Sequence, residues 1–226
     1  MTKNISKIIE EISECAYSCN RNADEIKLLA VTKTQSISTI KDILGQGIKY
    51  IAENRVQEAE AKIPVLLGLY EEFHFIGHLQ SNKINKLLKL KPVLIHSIDK
   101  FSTAEQLDIA LKKENSDIDV LIEINTSGEA SKNGIKPSEC AELIKRMEVL
   151  ENVHIKGLMT IGSLSENEDS IRRCFSLLRN IFEKEKSISP HKMKYLSMGM
   201  SNDFKLAIKE GSNILRLGSI LYTTTS

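Results

Sequence analysis

The feature that most constrains this chain is an alternation repeated eight times. Short β-branched or aliphatic runs recur along it, each followed by a longer segment whose apolar residues return every three or four positions, the period of a helix. The runs are Ile26 to Val31, Lys49 to Ala52, Phe73 to Ile76, Val93 to Ile98, Val120 to Ile124, Val153 to Met159, Lys194 to Leu196 and Ile214 to Leu217. The helical segments between them include Ser36 to Leu44, Val56 to Leu66, Ser81 to Leu90, Ser102 to Lys113, Pro137 to Leu150, Asp169 to Lys186 and Asn202 to Lys209. This order predicts an α/β fold, a single (β/α)8 TIM-type barrel over residues 26–222. An extra N-terminal helix precedes it within residues 1–22, over Ile5 to Cys19. A doubly wound open sheet is the alternative that the same alternation allows.

Local signals mark the helix ends. Ser102 with Glu105 three positions on reads as a capping box, and Pro137 stands at a helix start, where its missing N–H costs nothing. Gly45, Gly47 and Gly211 read as helix stops. No low-complexity linker divides the 226 residues, so one domain spanning 1–226 is expected.

Charge and composition then narrow the function. With 31 Lys plus Arg against 30 Asp plus Glu, the net charge of +1 gives no electrostatic reason to bind nucleic acid or anionic lipid. The first residues mix acids with isolated apolar positions and lack a signal peptide's hydrophobic region. No stretch approaches the ~20 apolar residues of a membrane span. Cys15, Cys19, Cys140 and Cys174 are too few for a disulfide framework and show no CxxC spacing, so packing thiols, no metal site and a reducing cytoplasmic setting are expected.

In a barrel, chemistry belongs at the carboxyl ends of the strands. Lys33 ends the first strand behind an aliphatic run, over the mouth, where partial desolvation favours the neutral amine that attacks carbonyls. The loops after strands seven and eight are the phosphate position of this fold. The first reads Ser197-Met-Gly199-Met-Ser201-Asn-Asp203, with a glycine for close backbone approach and a helix start near Ser201. The second, Arg216-Leu-Gly218-Ser219, offers a fixed cation, a small backbone and a hydroxyl. A carbonyl-seeking lysine facing a phosphate cup defines a ligand class, a phosphorylated aldehyde or ketone held as a Schiff base. Pyridoxal phosphate and the sugar phosphate of an aldolase both fit.

Five blocks of the chain resemble the YggS/PROSC family of pyridoxal phosphate homeostasis proteins. They are Ala30-Val-Thr-Lys33-Thr, Ala52-Glu-Asn54-Arg-Val-Gln-Glu58, His74-Phe-Ile-Gly77-His-Leu-Gln80-Ser-Asn82-Lys83, Leu196-Ser-Met-Gly-Met-Ser201-Asn-Asp203 and Arg216-Leu-Gly218-Ser219. The resemblance implies a barrel like the N-terminal domain of alanine racemase, with pyridoxal 5'-phosphate bound covalently at Lys33. It assigns Ser197, Gly199, Ser201, Gly218 and Ser219 to the phosphate. Arg216 has two candidate roles, neutralising the phosphate or facing the pyridine nitrogen and keeping it unprotonated. Asn54 is expected near the ring face or its hydroxyl, His74 as a satisfied core histidine, and Met159 and Met200 as packing. Two departures from the family pattern are Ala52, where a glycine is common, and an end, Leu221 to Ser226, without the Gly-x-Arg that often follows the last strand.

Alanine racemase adds a β domain that supplies a tyrosine as second acid/base. Proton removal on one face and return on the other needs two positioned groups, each worth ~100 to 10,000-fold. Here only the lysine is identifiable, and Tyr17, Tyr50, Tyr70, Tyr195 and Tyr222 offer no evident substitute. The expectation is a monomeric carrier that buffers pyridoxal phosphate and hands it to apoenzymes, with no catalytic residues. The rivals are a weak racemase-type enzyme acting on amino acids and a Schiff-base aldolase.

Overall fold

In the computed structural model, which describes residues 5–163, 167–190 and 192–222, eight parallel strands close into a TIM-type barrel in sequence order. They are β1 (Lys27–Val31), β2 (Tyr50–Glu53), β3 (Glu72–Phe75), β4 (Leu94–Ile98), β5 (Ile118–Glu123), β6 (Val153–Met159), β7 (Tyr195–Ser197) and β8 (Ile214–Leu217). Pairing of β1 with β8, Leu29 opposite Arg216, closes the ring and excludes the open sheet.

Alternation along each strand sorts the side chains into two apolar groups. Leu29, Ala52, Leu94, Leu121, Met159 and Ile214 meet inside the ring. Residues of the opposite parity, such as Ala30, Ile51, Phe73, Ile95 and Leu215, pack outward on the helices. Ala52 therefore sits in the packed interior of β2.

The helices are α1 (Ile5–Ser18), α2 (Ile37–Leu44), α3 (Val56–Lys62), α4 (Ile84–Leu88), α5 (Phe101–Glu114), α6 (Cys140–Met147), α7 (Glu168–Ile188), α8 (Phe204–Lys209) and α9 (Ser219–Tyr222). Short 3-10 turns extend α3 over Ile63–Leu66 and precede α4 and α6, which shortens three of the helices expected from periodicity. Proline at the start of the Ile63–Leu66 turn is the local reason for the first break. Helix α1 packs its Ile5, Ile8 and Ile12 face into the core, and the Cys15 thiol donates to the Lys205 carbonyl of α8.

One local expectation changes. Helix α5 begins at Phe101 after an extended Lys100, which puts Ser102 inside the first turn, so no capping box forms there. Helix α2 ends at Gly45 as expected, with Gly45 right-handed and the left-handed turn at Gly47, with φ of 98°. Among the described residues, no helix is long and apolar enough to cross a membrane, and no cluster of side chains suits a metal ion. Residues 223–226 of the divergent end lie outside the described residues.

Candidate functional site

A cavity of about 490 Å³ opens at the carboxyl end of the barrel. Its lining includes Lys33, Ile76, Met200, Ser201, Asp203, Arg216, Gly218 and Ser219. Strand β8 and the loops after β1, β7 and β8 thus bring together five of the residues read from the sequence: Lys33, Ser201, Arg216, Gly218 and Ser219.

Lys33 is exposed, so the desolvation expected of it is not seen. What is fixed is its backbone. Thr32 donates its hydroxyl to Glu53 Oε1 at 2.6 Å, and its carbonyl accepts from Lys62 Nζ at 2.8 Å. On the other side Thr34, left-handed at φ of 61°, donates its N–H to Glu58 Oε2 at 2.8 Å. Lys62 bridges the two carboxylates, at 2.8 Å from each. Burial works against its charge, but hydrogen bonds to Glu53 and Glu58 outweigh that and hold its pKa above the usual lysine value. Glu53 and Glu58 belong to the same sequence block as Asn54, and their work is to frame Lys33.

On the facing rim, Ser201 Oγ accepts from the N–H groups of Gly218 and Ile220 at 3.2 and 3.3 Å, tying the loop after β7 to the loop after β8. Its hydroxyl hydrogen remains available to an anion. Asp203, the one carboxylate among the described lining residues, accepts from the Met200 N–H at 2.5 Å.

Arg216 projects inward from β8. It donates from Nη1 to Ser197 Oγ at 2.6 Å and from Nη2 to the Thr160 carbonyl at 2.8 Å. Burial lowers its pKa to about 10, with Asp203 and Glu123 opposing, so it stays a cation at neutral pH. Behind it a polar chain crosses the barrel: Ser197 Oγ to His96 Nδ1 at 3.0 Å, His96 Nε2 to His74 Nδ1 at 3.0 Å, His74 Nε2 to Glu72 Oε2 at 2.9 Å. Lys27 Nζ ends it, 2.6 Å from Glu72.

Three expected residues fall outside the cavity lining. Ser197 is the last residue of β7 and fully buried, and its hydroxyl is engaged by Arg216 and His96 rather than facing the rim. Gly199, at φ of 95°, serves packing, since a Cβ there would stand 2.5 Å from Ala207 Cβ. Asn54 lies just beyond β2, and its buried Oδ1 has no hydrogen-bond partner among the described residues. Gly77 permits that arrangement, because a Cβ there would collide with the Asn54 carbonyl. His74 is buried and hydrogen-bonded at both nitrogens. Met159 packs inside the barrel and Met200 lines the cavity.

An exposed amine, a buried cation and hydroxyl donors on one apolar-walled cavity can bind a phosphorylated carbonyl compound and condense with it. Comparison with known proteins gives the same direction. Residues 12–226 match the family described as alanine racemase, N-terminal domain. The chain is also 39% identical to the pyridoxal phosphate homeostasis protein of Aquifex aeolicus, over 97% of this chain and 96% of that protein. The chain belongs to the pyridoxal phosphate homeostasis proteins of the alanine racemase N-terminal domain family.

Other members agree in extent. The Escherichia coli K12 homeostasis protein is 36% identical over 97% of this chain and 94% of its own length. Among solved structures, PipY of Synechococcus elongatus PCC7942 with PLP bound superposes with a TM-score of 0.81 at 29% identity, covering 94% of this chain and all of that one. Alanine racemase of Clostridium difficile 630, at 16% identity and a TM-score of 0.73, shares the fold, with this chain covering 56% of it.

Sequence reasoning missed His96, Glu72 and Lys27 behind Arg216, and Glu53, Glu58 and Lys62 around Lys33. Glu53 and Glu58 stood in a block quoted for family resemblance, the one signal that pointed to them.

Proposed function

We propose that this protein holds pyridoxal 5'-phosphate through Lys33, buffers it and delivers it to apoenzymes, without robust catalysis of its own. The observation that carries this is the placement of the Lys33 amine and the Ser201, Gly218 and Ser219 rim on one cavity at the barrel mouth.

The residues present fit the cofactor. Lys33 supplies the amine that condenses reversibly with its aldehyde, releasing water. The Ser201 and Ser219 hydroxyls and the backbone at Gly218 suit its phosphate. Arg216 stands two residues before Gly218, about 6.6 Å along an extended strand, so a phosphate on the rim puts the ring toward the guanidinium. A cation at the pyridine nitrogen keeps it unprotonated and weakens the ring as an electron sink, which favours storage over catalysis. Ser197 orients Arg216, and the orphan Asn54 Oδ1 awaits a donor. Pyridoxal phosphate supplies a reactive aldehyde on an electron-accepting ring.

A racemase-type activity needs a second acid/base at the cavity. Among the described lining residues the titratable groups are Lys33, Asp203 and Arg216, and Asp203 is engaged by the Met200 N–H. The test is mass spectrometry of protein loaded with pyridoxal phosphate, reduced with borohydride and digested. The pyridoxyl group is expected on the peptide containing Lys33, and its appearance only elsewhere would refute the reading. Incubation of the loaded protein with L-amino acids is expected to leave optical rotation unchanged.

A further inference from the structure

Hydrogen-bond direction along the barrel interior can be worked out from its two ends. A guanidinium has no acceptor, so Arg216 must donate to Ser197 Oγ. At the other end Glu72, a carboxylate that receives Lys27, can only accept, so His74 donates to it from Nε2. A neutral His74 is then bare at Nδ1 and takes the proton of His96 Nε2. His96, bare in turn at Nδ1, takes the single serine hydrogen, and Ser197 Oγ keeps its lone pairs for Arg216. No donor or acceptor on this path faces another of its own kind. The reverse direction would need a protonated Glu72, yet Lys27 Nζ stands 2.6 Å from each of its two oxygens and favours the carboxylate. An imidazolium is opposed as well, since His74 and His96 are 1% and 0% exposed.

We propose that Lys27, Glu72, His74 and His96 are positioning residues for the cavity at the other end of the barrel: as one directed chain they hold Ser197 as an acceptor for Arg216. The chain begins at the first residues of β1 and β3, where Lys27 and Glu72 reach solvent, and ends at Arg216 in the cavity lining. Arg216 keeps its remaining N–H groups for a bound ring because Ser197 and Thr160 fix the other two. The effect on the ring rests on the pyridoxal phosphate reading above. The chain itself does not.

The first test is long-range 15N–1H NMR of the cofactor-free protein. Both His74 and His96 are expected as neutral rings with the proton on Nε2. A proton on Nδ1 of either ring, or an imidazolium at neutral pH, overturns the proposal. The second test titrates His96→Phe and His96→Gln with pyridoxal phosphate. His96→Phe is expected to weaken binding about tenfold, the loss of one charge-assisted contact, and to shift the absorbance of the Lys33-bound cofactor. His96→Gln, which keeps one acceptor and one donor, is expected to restore both to within about threefold. An unchanged affinity and spectrum in His96→Phe would show the chain to be structural only. If the unsubstituted protein fails to bind pyridoxal phosphate, the functional reading falls while the NMR result still decides the chain.

Discussion

On the β1–β2 side of the cavity, Lys33 is framed by charges: Glu53 and Glu58 share Lys62, Lys62 and Glu58 hold the peptide groups of Thr32 and Thr34, and Glu53 accepts from the Thr32 hydroxyl. On the β7–β8 side, Arg216 is reached through a serine and two neutral histidines, and the balancing Glu72–Lys27 pair stands at the far end of the barrel. The first arrangement fixes a backbone and leaves a flexible amine free to react. The second fixes a side chain and leaves its charge undiluted beside the ligand. A carboxylate touching Arg216 would cancel the cation that the cavity presents, whereas a hydroxyl holds it at no cost in charge.

The charged side is broken most severely by Lys62→Met. Glu53 is fully buried, and removing its cation strands a charge, at about 3–5 kcal/mol. Urea unfolding of the cofactor-free protein measures this, and a loss below about 1 kcal/mol would mean that the cluster does not frame Lys33. The neutral side is next, through Glu123 of β5. Burial, with Asp99 adding to it and Arg216 opposing, raises its pKa from 4.5 to about 7. A raised carboxyl contributes stability that is complete below the unfolded value of 4.5 and is lost as pH rises through 7. Stability should therefore fall by on the order of 3 kcal/mol from this group between those pH values. Glu123→Gln should flatten that part of the curve, and an unaltered slope would place the titration elsewhere.

Much of this was legible beforehand, and the division is physical. Strand positions follow from apolar periodicity, so two of the eight expected runs, Val153 to Met159 and Ile214 to Leu217, matched and the other six needed one or both ends moved. Lys33, Ser201, Gly218 and Ser219 were readable because a loop after a strand faces the mouth whatever the pairing. Ser197 was read as a rim residue, whereas β7 runs one residue further than its apolar run and the hydroxyl meets Arg216 and His96 inside the barrel. The histidine chain was not readable at all. It depends on register: His74 pairs with Leu94, which leaves His96 two residues further along, and Ser197 pairs with Ile214, which brings Arg216 within reach in the same way. Nothing in a single chain's spacing encodes those offsets. The framing of Lys33 was hidden similarly, since Lys62 lies nine positions beyond Glu53 and meets it only through the turn from β2 into α3.

Ser197→Ala probes the neutral side at its joint. It removes an acceptor from a buried guanidinium and a donor from His96, an expected loss of about 2 kcal/mol. If the phosphate were instead held there, the substitution would weaken cofactor binding while leaving the unfolding of the cofactor-free protein unchanged. Ser201→Ala separates the two ideas, because Ser201 ties the rim loops together through the Gly218 and Ile220 N–H groups. It should cost pyridoxal phosphate affinity about 1–2 kcal/mol and stability less than Ser197→Ala does.

The smallest expected change in stability belongs to Lys33, the residue proposed to hold the cofactor. Lys33 is exposed and its frame acts on the backbone of its neighbours, so Lys33→Ala should leave unfolding within ~0.5 kcal/mol of the parent. Borohydride trapping of pyridoxal phosphate should disappear altogether. A stability loss of 1 kcal/mol or more would mean that the Lys33 side chain itself braces the loop, and the contrast between a framed backbone and a free amine would then fail on the side where it is drawn most sharply.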